Sequence, residues 1–333
     1  MPQVALLGAA HIHAPGFVKK LIDRKDAHVA AVWDHDAARA KKNAEQLGAS
    51  IVKSVDAILA DKKIDAVVVC SETDRHEQLV LKAAAAGKHM FVEKPLGFAG
   101  DDARRMADAI ERAGVLFQTG YFLRGLPVNQ YLKQLIDQGA FGTITRVRHS
   151  NCHNGSLGGW FDKEWRWMAD PKIAGCGAFG DLATHALDIL MWLFGDIVCV
   201  AADIKIVTGR YGDCDEAGEA MLKFATGVTG TLAGSWLDIA DRAQLMITGT
   251  EGHAQVMNGQ LYLTCKHIEG ADGSKPWTTL PQGWPHAFDL FLDAVGGKQG
   301  VPLVTAREAA ARSIAMEAMY TAAEQRRWID VEP

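Results

Sequence analysis

The chain has 333 residues, 48% hydrophobic and 23% charged, with a formal net charge of -5. That length suits two domains better than one core, and mild acidity without a basic tail or patch excludes nucleic acid as the expected partner. Six scattered cysteines with no C-x-x-C pair exclude a disulfide scaffold and a structural zinc site, and fit reduced thiols in the cytoplasm.

Residues 4–7 form a short apolar strand ending at Gly8, without the basic and long apolar regions of a secretion signal. A helix follows over 15–21, its start limited by Pro15 and Gly16. A second strand, 29–33, ends at Asp34, and an alanine- and lysine-rich helix over 37–47 stops at Gly48. A short helix (54–60), a fully apolar strand (66–70) and a helix (76–86) come next. Strand 89–92 then runs into Glu93-Lys94-Pro95, and helix 101–113 and strand 115–119 lead to Gly120. This alternation predicts a parallel sheet with helices on both faces over residues 1–120. The strand ends at Gly8, Asp34, Ser71, Glu93 and Gly120 share its carboxyl edge, where open α/β folds bind ligands.

The pattern changes after Gly120. A helix (128–138), a strand (143–151), a glycine-rich loop (154–159) and a helix (181–193) precede strands over 198–207, 219–224, 229–236, 244–248, 253–257 and 260–265. Residues 269–285 read as loop, and helices over 285–295 and 305–327 close the chain. The expectation is an α+β domain over 121–333 with a largely antiparallel sheet, its last helices able to pack back on the first domain. The apolar stretch 183–194 carries His185 and Asp188 and is too short to span a membrane, so no membrane partner is expected.

Several residues carry chemistry. Gly8-Ala9-Ala10-His11-Ile12-His13 keeps only the first glycine of a dinucleotide-binding G-x-G-x-x-G turn, with Ala10 and His13 in the other two places. Asp34 stands where a carboxylate accepts adenosine ribose hydroxyls, and reads equally as a cap for the 37–47 helix. Its charge favours NAD, while His35, Arg39 and Lys41 nearby leave NADP open. His11 and His13 can reach phosphate, ribose or substrate. They lack an acidic or cysteine companion at motif spacing, so no metal is expected. Lys94, at the end of a buried strand, can stabilise a substrate oxygen. Asp181 and His185 share one helix face at i, i+4, and a histidine there can take a hydroxyl proton as hydride leaves the same carbon. Asp188 reads equally as a structural acceptor. His149, His153, Trp160, Trp165 and Trp167 are either a sugar-stacking cluster or cover for the sheet.

These motifs, with Thr73 and His76, Gly120-Tyr121, Arg124, the run Gly175-x-Gly177-x-x-x-Asp181-x-x-x-His185-x-x-Asp188 and Trp192-x-x-x-Gly195, resemble the glucose-fructose oxidoreductase / inositol dehydrogenase / rhizopine-catabolism family over nearly the whole length. The resemblance implies an N-terminal Rossmann domain and a C-terminal α+β domain whose open sheet forms a homodimer or homotetramer interface. It implies NAD(P)-dependent oxidation or reduction of a secondary alcohol in a sugar, cyclitol or related polyol. By that resemblance Lys94 is the catalytic lysine, Asp181 orients substrate or aids proton transfer, and His185 is the general acid/base. The cofactor contacts expected are Gly8, Ala10, His11, Ile12, His13, Asp34, His35, Ser71, Glu72, Thr73, His76, Glu93, Lys94, Pro95 and Arg124. The substrate contacts are Lys94, Tyr121, His149, His153, Trp160, Trp165, Asp181 and His185. Two alternatives use the same fold: a sugar lyase or hydrolase with transient oxidation on tightly held NAD, and a non-catalytic nucleotide-sensing regulator.

Overall fold

The computed structural model describes residues 1–332 and divides into two compact units. The first comprises residues 1–122, 163–175 and 285–313; the second comprises 123–162, 176–284 and 314–332.

In the first unit the chain runs β1 (Gln3–Leu7), α1 (Ala14–Asp23), β2 (His28–Trp33), α2 (Ala37–Leu47), β3 (Ser50–Ile51), α3 (Val55–Ala60), β4 (Ala66–Val69), α4 (His76–Ala85), β5 (His89–Val92), α5 (Gly100–Ala113) and β6 (Phe117–Thr119). The strands form one parallel sheet in the order β3-β2-β1-β4-β5-β6. The order reverses between β1 and β4, which is the switch point where such sheets take ligands. The fully apolar strands are explained by burial on both faces. Val4, Leu6, Ala66, Val68 and Phe91 pack one way, against Phe17 of α1; Ala5, Leu7, Val67, Val69 and Val92 pack the other way, with α3, α4 and α5. The later segments add α7 (Pro171–Ala174) and α9 (Ala287–Val295). Phe288 of α9 stacks on Phe17 at 4.7 Å and meets Phe91 edge-on at 4.9 Å. Each buried ring of this kind contributes about 1.5–3 kcal/mol.

The second unit holds α6 (Pro127–Asp137), β7 (Ile144–Cys152), α8 (Ala178–Phe194), β8 (Ile197–Lys205), β9 (Ala217–Phe224), β10 (Thr229–Ser235), β11 (Ala243–Gly249), β12 (Gly252–Met257), β13 (Gln260–Cys265), β14 (Asp272–Pro276) and β15 (Ile329–Asp330). Its nine-stranded sheet runs β14-β13-β12-β11-β7-β10-β9-β8-β15. The β7–β10 pair is parallel and the other pairs are antiparallel. Helix α8 packs on β7, β9 and β10. The long helix α10 (Ala306–Gln325) contributes its first residues to the first unit and the rest to the second.

Three local expectations need correction. Residues 272–276, read as loop, form the edge strand β14, whose polar composition gave no period-2 signal. Asp36 rather than Asp34 caps α2, accepting the amides of Ala38 and Arg39 at 2.8 and 2.9 Å. Helix α8 begins at Ala178 and not at Asp181, because Asp215 accepts the Gly177 and Phe179 amides at 2.9 and 2.8 Å. That leaves Asp181 inside the first turn, where its carboxylate is not the cap.

Candidate functional site

The turn after β1 requires its one retained glycine. Gly8 has φ +81°, and a Cβ there would lie 2.7 Å from Ser71 Cβ and 2.8 Å from Ser71 Cα, at the end of β4. The other two places of the turn make no such demand. Ala10 is not among the positive-φ residues, and its amide donates to the Cys70 carbonyl at 3.0 Å. His13 precedes α1 with ordinary right-handed backbone, φ -81°. Its ring turns onto β5, where Nδ1 lies 3.1 Å from Glu93 Oε1. His11 is buried and meets His13 edge-on, with ring centroids 4.6 Å apart. Trp167, from segment 163–175, braces this turn by donating its indole N–H to Ala10 O at 3.0 Å.

At the end of β2 the carboxylate of Asp34 is saturated. Oδ2 accepts the Ala9 amide at 2.9 Å and Arg39 Nε at 2.8 Å; Oδ1 accepts the Asp36 amide at 2.9 Å and Arg39 Nη2 at 2.8 Å. Four donors fill the roughly four lone-pair sites of a carboxylate. Arg39 Nη2 also reaches Glu72 Oε1 at 3.0 Å. Burial works against the guanidinium charge here, but Asp34 and Glu72 outweigh it and raise the Arg39 pKa. His35 closes the group, with Nε2 3.4 Å from Glu72 Oε1.

Behind β4 and β5, His76 is buried and its Nδ1–H donates to the carbonyls of Pro95 and Leu96 at 3.1 and 3.3 Å, pinning the segment after Lys94. Burial pushes its imidazole pKa down, which keeps the ring neutral. Glu93 is fully buried. Burial alone would raise its pKa, but His13 and Lys94 hold it below the ordinary carboxylate value. Lys94, Ser71, Thr73 and Tyr121 are buried as well, while Pro95 and Ile12 are half-buried.

Buried polar atoms without a hydrogen-bond partner lie along this edge: His76 Nε2, Glu93 Oε2 and Thr119 Oγ1, while Glu72 Oε2 and Arg75 Nε face each other as an ion pair at 3.6 Å. Folded chains rarely leave such atoms unsatisfied unless a ligand or water completes them. Together with the close Gly8–Ser71 approach, they fit a dinucleotide laid along the strand ends. Gly8 to His13 would hold its pyrophosphate, the Asp34–Arg39 pair its adenosine ribose, and Glu93 to Pro95 its nicotinamide half.

In the second unit, Asp181 Oδ2 accepts the indole N–H of Trp236 at 3.1 Å, and His185 is buried one turn further along α8. Asp188 is an acceptor for Arg124: Nε lies 2.8 Å from Oδ2 and Nη2 lies 2.5 Å from Oδ1, both side chains being buried. Arg124, expected among the cofactor contacts, thus has its guanidinium fork on Asp188 and its charge over the Trp192 ring at 5.9 Å. His149 is buried on β7 with Nδ1 2.9 Å from Ser150 O, and burial lowers its pKa to about 4. His153 packs on the exposed ring of Trp160 at 4.7 Å. Trp165 and Trp167 fall in the first unit and Trp160 in the second; Trp165 lines a groove with Ala9, Arg39 and Glu164. Sequence reasoning did not single out Thr119, Arg75 or Asp215. Thr119 had a signal, being the last residue of a strand that ends on the ligand edge.

Two family models match the chain. One, the oxidoreductase family with an NAD-binding Rossmann fold, covers residues 3–121; the other, the GFO/IDH/MocA C-terminal domain, covers residues 129–255. Levoglucosan dehydrogenase of Pseudarthrobacter phenanthrenivorans is 28% identical over 197 residues, 53% of this chain and 50% of that protein. The chain thus spans about half the length of that relative. The 1,5-anhydro-D-fructose reductase of Ensifer adhaerens is 28% identical over 318 residues, 92% of each chain. A solved levoglucosan dehydrogenase, in complex with NADH and levoglucosan, shares the fold with a TM-score of 0.83 over 100% of both chains at 22% identity. Among the described residues no helix is long and apolar enough to cross a membrane.

Proposed function

The chain belongs to the GFO/IDH/MocA oxidoreductase family, and from that premise we propose that it interconverts a secondary alcohol and ketone, or a lactol and lactone, in a sugar, cyclitol or related polyol. NAD is the cofactor, and NADP is a second candidate. The observation that carries this reading is the set of buried polar atoms without hydrogen-bond partners along the carboxyl edge of the first sheet, beside the turn that demands glycine at Gly8. The sugar-directed relatives support the substrate class.

Bound NAD supplies the hydride acceptor at its nicotinamide ring, or the donor in the reverse direction. Lys94 donates a hydrogen bond to the substrate oxygen and stabilises the negative charge that grows there. His185 takes the hydroxyl proton in oxidation and returns it in reduction. Asp181, oriented by Trp236, fixes a neighbouring substrate hydroxyl or the His185 ring. Tyr121, His149, His153, Trp160 and Trp165 are the remaining substrate candidates. The nine-stranded sheet has one face under α8, and we infer self-assembly through its other face, with the free thiols kept reduced in the cytoplasm.

The test is purified protein with NAD or NADP and a panel of polyols, anhydrosugars and sugars, following absorbance of the reduced cofactor. Turnover that falls at least about a hundredfold in Lys94→Ala and His185→Ala supports the roles. Dinucleotide binding without turnover on any member of the panel, or unchanged turnover in both variants, overturns them. Light scattering of the eluted protein reads the assembly; a monomer overturns that part.

A further inference from the structure

His11 and His13 stand two residues apart on the turn after β1, with no acidic residue at motif spacing in the sequence. The fold supplies one from β5: one donor atom each of His11, His13 and Glu93 lies within 4.8 Å of the others. We propose that these three side chains form a site for a first-row divalent cation of the zinc class.

The spacing suits coordination. Metal–ligand bonds of about 2.0–2.1 Å in a tetrahedron put neighbouring donor atoms about 3.3 Å apart. His13 Nδ1 and Glu93 Oε1 are already 3.1 Å apart. His11 closes the remaining gap by a small ring movement.

The second observation is independent of the histidines. Glu93 is fully buried, and its Oε2 has no hydrogen-bond partner. The atom lies against Gly120, where a Cβ would come within 2.8 Å of it. A buried carboxylate with one unsatisfied oxygen calls for a cation or a donor beside it. The surroundings hold the ligands in place: the His13 amide donates to His11 Nδ1 at 3.2 Å, and the His11 ring packs 5.9 Å from Trp167, which is itself bonded to Ala10 O. Such outer contacts are what orient ligating rings.

Two imidazoles and one carboxylate favour zinc, cobalt or nickel over magnesium or calcium. Three protein ligands leave a position open for water or a ligand oxygen. The route in is through His13, whose side chain is 38% exposed and which lines a cavity of about 350 Å3 with Ile12, Gly16, Lys20, Phe122 and His286. His11, His13 and Glu93 are also expected dinucleotide contacts, so the measurement is made without nucleotide and does not depend on the proposed reaction.

The experiment uses the full chain, untagged and stripped with chelator, titrated with Co2+ and then competed with Zn2+. The expected result is one equivalent bound, with visible d–d bands of low-symmetry cobalt that Zn2+ abolishes. Affinity should fall at least about a hundredfold in His13→Gln and in Glu93→Gln, and stay unchanged in His28→Ala, which lies outside the cluster. Glu93 is buried, so where its variant unfolds, His13→Gln with a native circular dichroism spectrum decides. Absence of stoichiometric binding overturns the proposal, as does binding that His13→Gln leaves unchanged.

Discussion

Replacing Gly8 by alanine tests the geometry of the ligand edge directly. At φ +81° an L side chain pays a left-handed backbone cost of about 1–2 kcal/mol. The new Cβ would also sit 2.7 Å from Ser71 Cβ and 2.8 Å from Ser71 Cα. Ser71 is only 1% exposed and follows Cys70, whose amide is bonded to Leu7 O, so relief must come from separating the ends of β1 and β4. Overpacking of that kind costs about 1–3 kcal/mol. The expected loss is therefore about 2–5 kcal/mol. Gly16 provides the control. It lies in α1 without positive φ, and a Cβ there meets nothing within 4 Å. The same change should leave stability unaltered or raise it by up to about 1 kcal/mol. Urea unfolding followed by circular dichroism, with slopes compared between variants, measures both. A Gly8→Ala loss below about 1 kcal/mol, or shifts of the same sign and size in the two variants, would refute the reasoning.

Other consequences are equally open to measurement. Arg39→Gln frees the two oxygens of Asp34 for a ribose diol and removes the nearest cation, so the ratio of NAD to NADP affinity should rise about tenfold or more; an unchanged ratio in nucleotide titrations means Arg39 does not face that ribose. Asp188→Ala takes away the carboxylate facing buried Arg124 and should cost about 3–5 kcal/mol in urea unfolding, and a loss under about 1 kcal/mol would argue against a buried pair. Acid stability has two contributors. Burial lowers the His149 pKa from 6.5 to about 4, so the unfolded chain binds more protons and stability falls as pH drops through that window. Burial would raise the Glu216 pKa, but the Thr208 hydroxyl and the amides of 207–209 bring it from 4.5 to about 2, so its contribution, complete above 4.5, disappears as pH falls toward 2. A pH series of unfolding midpoints should therefore lose its upper step in His149→Gln and its lower step in Glu216→Gln; steps that persist would exclude these groups.

The first unit was legible because its signals are local. Apolar runs four or five residues long, each ending at a glycine, a serine or a charged residue, located β1, β2, β4 and β5, and their ends located the ligand edge. What was not legible depends on residues brought together through space. Asp34 looked like a free ribose acceptor until Arg39 closed on it. Glu93 reaches His13 from the residue after β5, eighty residues along the chain. The start of α8 could not be set by its own residues, because Asp215 reaches it from a loop between β8 and β9. The tryptophans, close in sequence, are shared between the units because the chain passes from one to the other at residue 163.

The position of β7 has a consequence for how the second unit is made. It is the first strand of its sheet to be synthesised, yet it lies at the centre, between β11 and β10. The meander β8-β9-β10 and the meander β11-β12-β13-β14 can each zip from their own hairpins, over short stretches of chain. Neither contains β7, and their only link across the sheet is that strand. A growing chain must therefore hold an unpaired β7 until β10 and β11 exist, more than seventy residues later. Closing those long loops is the entropically demanding step, so assembly of this unit should be limited by capture of its earliest strand rather than by formation of the hairpins.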